Sequence, residues 1–317
     1  MLQDSNAILT LCSHICAGEG VQPLEPKEYG ELAQSLQGAG KTPKDLFDFS
    51  ADDFRSVLGC DAEQTARLSR LLDRSASLSF ELGQYRNMGI ETVTRADAGY
   101  PKALKRKLSN GCPPIFYYAG DLSLTERKLV GYVGARTVEP EDVDFTVRAV
   151  RKTTALGCGV VSGGAKGVDT VAGTEALLRG GICVEYLCDS MLKKLSKSDV
   201  IRNIQQGRLL LLSVAKPDAG FNVGMAMMRN RFIYAQSIAT VVIRSDLNKG
   251  GTWTGATDCL KHNWCPTLCR NHPYPGNQAL IKTGAIPIDD NWDGCIPEQI
   301  TKSPPSETYE QTSLFGI

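Results

Sequence analysis

The stretch VVSGGAKGVD, Val160 to Asp169, carries residue types suited to holding an anion. An apolar run ends in Ser162, Gly163 and Gly164, then Lys166 and Gly167 lead into a helix-like pattern that contains Asp169. Glycines let backbone amides approach a ligand, a helix start presents its positive end, and a lysine adds a full charge, so the combination favours phosphate. The spacing is neither the dinucleotide fingerprint G-x-G-x-x-G nor a Walker A loop. A tight glycine turn made for packing is the competing reading. Another strand-like run ends in Gly134, Ala135 and Arg136, a later one is followed by Lys249, Gly250, Gly251 and Thr252, and a helix-like run carries Arg229, Asn230 and Arg231. Several cationic, amide-rich ends on one sheet edge suit a chain of phosphates, and single-stranded nucleic acid is the expected ligand.

The elements that must position these residues follow from the hydrophobic pattern. From about residue 125 to 290, continuous apolar runs such as KLVGYVGA, CGVVSG, ICVEYLC, RLLLLSV and IATVVIRS alternate with amphipathic helical segments. That alternation is what a parallel sheet covered on both faces requires, and it predicts an α/β, Rossmann-like, mostly parallel sheet whose ligands lie at the carboxyl ends of its strands. Residues 1–86 are helical in pattern and predict a small helical module, with Asp61 and Gln64 spaced as a capping box. In the connecting segment, Pro101, Pro113 and Pro114 are expected to limit regular structure. The predicted division is 1–86, 87–292, and a flexible, Pro/Ser/Thr-rich tail over 293–317.

Composition narrows the function. Lys plus Arg equals Asp plus Glu, 35 each, so any nucleic-acid site must be a local basic patch. The clusters Lys102, Lys105, Arg106, Lys107 and Arg148, Arg151, Lys152 read by charge alone as solvated helix faces. No apolar run approaches the roughly 18 residues that span a bilayer, and MLQDSNAILTLC makes a poor signal peptide, so the expected location is cytoplasmic and no membrane is involved. Eleven cysteines, an odd number scattered through strand-like and helix-like runs, point to reduced thiols. Cys259, His262, Cys265, Cys269 and His272 invite a zinc reading, but they straddle a helical and a strand pattern, so no metal is expected. There are no paired carboxylates at credible spacing and no G-x-S-x-G nucleophile turn, so neither catalysis nor a cofactor is expected. The alternative is a nucleotide sensor or nucleotide hydrolase of a related fold, with KGGTWTGATD as its turn and Asp258 as an imagined acid.

Six segments in order, from GIETVTRADAGYPKAL through PPIFYYAGDL, VGYVGAR, VVSGGAKGVDTVAGTEALLRGG and RNRFIYAQS to KGGTWTGATDCLKHNWCPTLCRNHPYPGNQALIKTGAIPI, resemble the DNA-processing protein A (DprA or Smf) family over about residues 85–292. The helical module resembles the sterile-alpha-motif-like module that often precedes that domain. The resemblance implies an extended Rossmann-like fold that binds single-stranded DNA, dimerises and helps load the recombinase RecA, without catalysis. It implies that Arg136 and Lys166 face DNA phosphates, that Ser162, Gly163 and Gly164 offer amides, and that Asp169 caps or orients the following helix. Arg229 and Arg231 would complete a basic floor, with Asn230 bonding backbone or base. Where the family commonly has His after the motif's Asp, this chain has Gly173. Gly250, Gly251, Thr252 and Trp253 replace the usual Ser-Gly-Ser-Leu, and a short tail stands where a winged-helix module is frequent.

In that tail QTSLF, Gln311 to Phe315, resembles the peptide by which many bacterial proteins dock on the DNA polymerase sliding clamp. Leu314 and Phe315 would fill an apolar pocket while Gln311 fixes orientation by hydrogen bonds. Thr312 stands where Leu or Met is common.

Overall fold

The computed structural model describes residues 3–16 and 21–296, which divide into two units: residues up to 100 with 108–118, and 101–107 with 119–296. The first unit opens with helices α1 (Gln3–Cys12), α2 (Pro26–Gly38), α3 (Ala51–Leu58), α4 (Ala62–Asp73) and α5 (Ser75–Asn87). Leu9, Leu11, Leu36, Phe54 and Leu71 are buried among them. The expected capping box starts α4: Gln64 N donates to Asp61 Oδ1 at 2.7 Å, and Asp61 N donates to Gln64 Oε1 at 3.0 Å. Buried Arg74 satisfies the carbonyls of Thr10 at 2.8 Å and Ile15 at 3.1 Å, which closes the turn after α1.

The proline-rich connection is more regular than expected. Strand β1 (Glu91–Thr94) pairs antiparallel with β2 (Ile115–Ala119), and α6 (Lys102–Leu108) lies between them in sequence. Pro101 stands just before α6, and Pro113 and Pro114 just before β2. There the missing N–H costs no internal hydrogen bond, so these prolines begin elements instead of preventing them.

The second unit is the expected α/β architecture. Its chain runs β3 (Leu129–Val133), α7 (Pro140–Ala155), β4 (Gly159–Ser162), α8 (Val168–Leu178), β5 (Cys183–Leu187), α9 (Met191–Leu195), α10 (Ser198–Gln205), β6 (Leu209–Ser213), α11 (Val223–Gln236), β7 (Ala239–Val242), α12 (Gly250–His262), β8 (Thr267–Arg270), α13 (Pro275–Lys282) and β9 (Ile286–Ile288). Strands lie in the order β6-β5-β4-β3-β7-β8-β9, and every pairing is parallel. β3 to β8 are buried along their whole length, which is why they read as unbroken apolar runs. From β3 the chain steps one way through β4 and β5 to β6, then crosses to β7 on the other side of β3. Right-handed crossovers in opposite directions put helices on opposite faces, with α7 packed on α8 and α11 packed on α12. β3 and β7 thus flank the topological switch point, where a crevice opens at the strands' carboxyl ends. Among the described residues no helix is long and apolar enough to cross a membrane.

Candidate nucleic-acid interface

A cavity of about 630 Å³ lies at that switch point, bounded by the ends of β3 and β7, the turn after β4, the start of α11 and the first turn of α12. It brings together most of the residues singled out from the sequence: Gly134, Arg136, Lys166, Asp169, Arg229, Asn230, Gly250, Gly251 and Thr252 all line it. Ser162, Gly163, Gly164 and Arg231 do not.

The turn after β4 is occupied by the protein itself, which corrects the expectation that its amides are bare. Asp169 Oδ2 accepts from Gly163 N at 3.0 Å and from Ala165 N at 3.4 Å, while fully buried Ser162 turns its Oγ to Gly164 N at 3.4 Å. The glycines make room for protein groups. A Cβ on Gly163 would fall 1.1 Å from Arg229 Nη1, one on Gly164 would fall 2.6 Å from Glu185 Oε2, and one on Gly167 would fall 2.2 Å from the Ala135 carbonyl. Gly164 and Gly167 also need positive φ, +60° and +82°. The packing reading of these glycines therefore holds, and Asp169, in the first turn of α8, orders the turn before that helix. Gly173 is less constrained: a Cβ there would press on Cys183 Sγ at 3.3 Å and meet Glu185 only at ordinary contact distance, 3.6 Å.

The Arg-Asn-Arg triplet splits, because successive helical residues point about 100° apart and cannot share one floor. Arg229 is buried, 4% exposed, with Nη1 3.4 Å from Asp169 Oδ2 and Nη2 toward Cys188 Sγ. Its Nε finds no hydrogen-bond partner among the described residues. Burial pushes the Asp169 carboxyl up from its ordinary value, against the pull of the Arg229 guanidinium and the turn amides. Asn230 Nδ2 donates to the Gly251 carbonyl at 3.0 Å and ties α11 to α12. Arg231 leaves the cavity and pairs with Asp258 at 3.5 Å. Arg229 is thus a brace beneath the cavity, Arg231 does not line it, and Asp258 is the partner of a surface arginine.

The charge left facing solvent comes from Arg136, Lys166 and Lys249, all exposed lining residues without a carboxylate partner among the described residues. They line the same cavity as the start of α12, whose cap residue Lys249 makes no side-chain capping bond among the described residues. The first turn of that 13-residue helix, Gly250, Gly251 and Thr252, lines the cavity, and the N–H groups of a helix's first turn lack intrahelical acceptors. Among the described residues Asp246 is the one exposed acid that lines the cavity.

Two further lining residues escaped the sequence reading. Phe221, 52% exposed just before α11, lies under the Arg136 guanidinium at 5.0 Å from the ring centroid. Arg244 leaves β7 as Arg136 leaves β3, a signal that was available, but it is held by buried Asp142 at 3.2 Å and stacked on the Tyr274 ring at 4.6 Å. Gln311, Leu314 and Phe315 lie outside the described residues.

Comparison with known proteins gives this geometry a family. The model of DNA recombination-mediator protein A matches residues 91–296. The structure is similar to that of DNA processing protein A from Streptococcus pneumoniae, with TM-score 0.63 and 19% identity over 84% of this chain and 95% of that one. It is also similar to DNA processing protein A from Helicobacter pylori, a structure described for its single-stranded DNA binding mode, with TM-score 0.52 and 26% identity over 63% of this chain and 90% of that one. A search of curated proteins finds no match. A family model that spans residues 91–296, well over half of the chain, leads to one conclusion: this chain belongs to the DNA recombination-mediator protein A family.

Proposed function

We propose that this protein binds single-stranded DNA at the switch-point rim and acts in DNA recombination as a binding protein without a catalytic step. The observation that carries the reading is three exposed cations, Arg136, Lys166 and Lys249, without a carboxylate partner among the described residues, lining one cavity with the start of α12. Phosphates along a strand would meet those charges and amides, while a base stacks on Phe221. The Helicobacter pylori relative's described single-stranded DNA binding supports the same use. Titrating labelled single strand, duplex and mononucleotide tests it. The single strand should bind most tightly, with affinity falling as salt rises. Equal competition by a mononucleotide would favour the second reading, a nucleotide sensor, for which a cavity of about 630 Å³ has room.

Phe221→Ala should leave the fold intact, since the ring is half exposed, and should weaken single-strand binding by about 1–3 kcal/mol for the stacked base. Unchanged affinity for both homopolymer and mixed strands would remove Phe221 from the site.

For partners, the family resemblance supports a homodimer and the recombinase RecA in the cytoplasm, and QTSLF supports docking on the sliding clamp. Deleting residues 310–317 should abolish clamp association and spare DNA binding. Clamp binding that survives the deletion would end that assignment.

A further inference from the structure

The far end of α12 holds two thiols that the DNA-binding reading does not use. Cys259 lies in the helix's last turns and Cys265 just before β8, both buried. Their sulfurs are 3.8 Å apart, and the Cys259 thiol also reaches the Cys265 carbonyl at 3.3 Å. The tight corner that brings them together is made by Asn263, which takes the left-handed conformation at φ 52° and ends the helix. Cys265 Sγ has Thr240 Oγ1 on its other side at 3.3 Å. Among the described residues no group of three histidines, cysteines or carboxylates is placed to hold a metal. This is a pair of thiols in near contact, across a loop short enough to close.

We propose that Cys259 and Cys265 are a modification site, joined into a reversible disulfide by a peroxide. The two sulfurs have different roles. The hydrogen bond from Cys265, with the half-buried Lys107 ammonium adding its charge, holds the Cys259 thiol below its ordinary value. Burial and the neighbouring Cys259 push Cys265 up, so it keeps its proton. Cys259 thiolate attacks one peroxide oxygen, the O–O bond breaks, hydroxide leaves, and Cys259 becomes a sulfenic acid. Cys265 sulfur then attacks Cys259 sulfur, the S–O bond breaks, and the hydroxide leaves as water with the Cys265 proton. Two thiols lose two electrons and two protons, and hydrogen peroxide becomes two waters. The sulfurs must close from 3.8 Å to about 2.0 Å, a movement within reach of the last turn of a helix, which opens more readily than its middle.

Cys295 is exposed, but its thiol is pushed up by the hydrogen bond with Asp293. Exposure alone would oxidise Cys295 first. The test treats the full-length native chain with increasing hydrogen peroxide, denatures it, alkylates the remaining thiols and maps the peptides by mass spectrometry. The expected result is a peptide linking Cys259 to Cys265, two hydrogens lighter than the reduced pair, before Cys295 is modified; a dithiol reductant should restore all eleven thiols. In Cys265→Ser, Cys259 should instead accumulate as a sulfenic acid captured by a cyclic 1,3-dione. Cys259 and Cys265 both remaining alkylatable at a peroxide level that oxidises Cys295 would overturn the proposal, as would either sulfur linking to another cysteine. Because the readout is covalent and made without DNA, it stands or falls independently of the DNA-binding reading.

Discussion

Arg229→Met is expected to destabilise the α/β unit by about 3–5 kcal/mol, because it leaves the Asp169 carboxylate buried and without its countercharge. For a unit of this size that is a fall of roughly 6–20 °C in melting temperature. The same carboxylate gathers the amides of Gly163 and Ala165, so the turn that carries Lys166 should loosen with it. The pH dependence has a definite sign. The folded-state value of Asp169 already lies above its ordinary one, since burial outweighs the arginine and the amides. Between the ordinary and the raised value the folded protein holds a proton that the unfolded chain has released, so this residue's contribution falls as pH rises through that window. Removing Arg229 takes away the largest opposing pull and widens the window upward. The variant should therefore regain stability relative to wild type as pH drops from neutral toward the ordinary carboxylate range. Asp169→Asn combined with Arg229→Met should cost less than Arg229→Met alone, because no buried charge remains. Thermal melts of the three proteins at several pH values check this. A single variant that melts like wild type at neutral pH, or that gains nothing on acidification, would contradict the bracing role.

Arg136→Ala and Lys166→Ala should behave in the opposite way, with stability within about 0.5 kcal/mol of wild type and DNA affinity sharply reduced. Both side chains are exposed and neither is paired with a carboxylate among the described residues, so nothing buried is orphaned when they are removed. A charge-assisted contact to phosphate contributes about 1.5–3 kcal/mol, or roughly tenfold or more in affinity for each. Arg136→Ala should have the larger effect, because its guanidinium also covers Phe221 and helps present that ring. Anisotropy titrations with a short labelled single strand measure both. Loss of binding accompanied by a lower melting temperature would mean that these residues act through the fold.

The sheet was legible because its strands are buried on both faces and read as continuous apolar runs, and the switch-point rim followed from where those runs end. The segment around β1, α6 and β2 was not legible, since prolines at element starts look the same in sequence as prolines within loops. The turn after β4 was misread for a related reason. Glycine spacing records that something approaches the backbone closely, and here the approaching groups are Arg229, Glu185 and the Ala135 carbonyl. Nothing local to VVSGGAKGVD announces an arginine sixty residues away, or that Asp169 folds back on the amides before it. Likewise the triplet at 229–231 looks like one cationic patch until helical geometry sends Arg229 inward and Arg231 toward Asp258. Phe221 carried no periodic signal, since it stands between a strand and a helix.

The most direct test of the claim that exposed cations at this rim hold consecutive phosphates is the salt dependence of single-strand binding by wild type and by the Arg136→Ala, Lys166→Ala double variant. Each phosphate contact contributes a slope of about 0.7 in log affinity against log salt, so the double variant should be shallower by about 1.4. Parallel lines for the two proteins, whatever their absolute affinities, would contradict it.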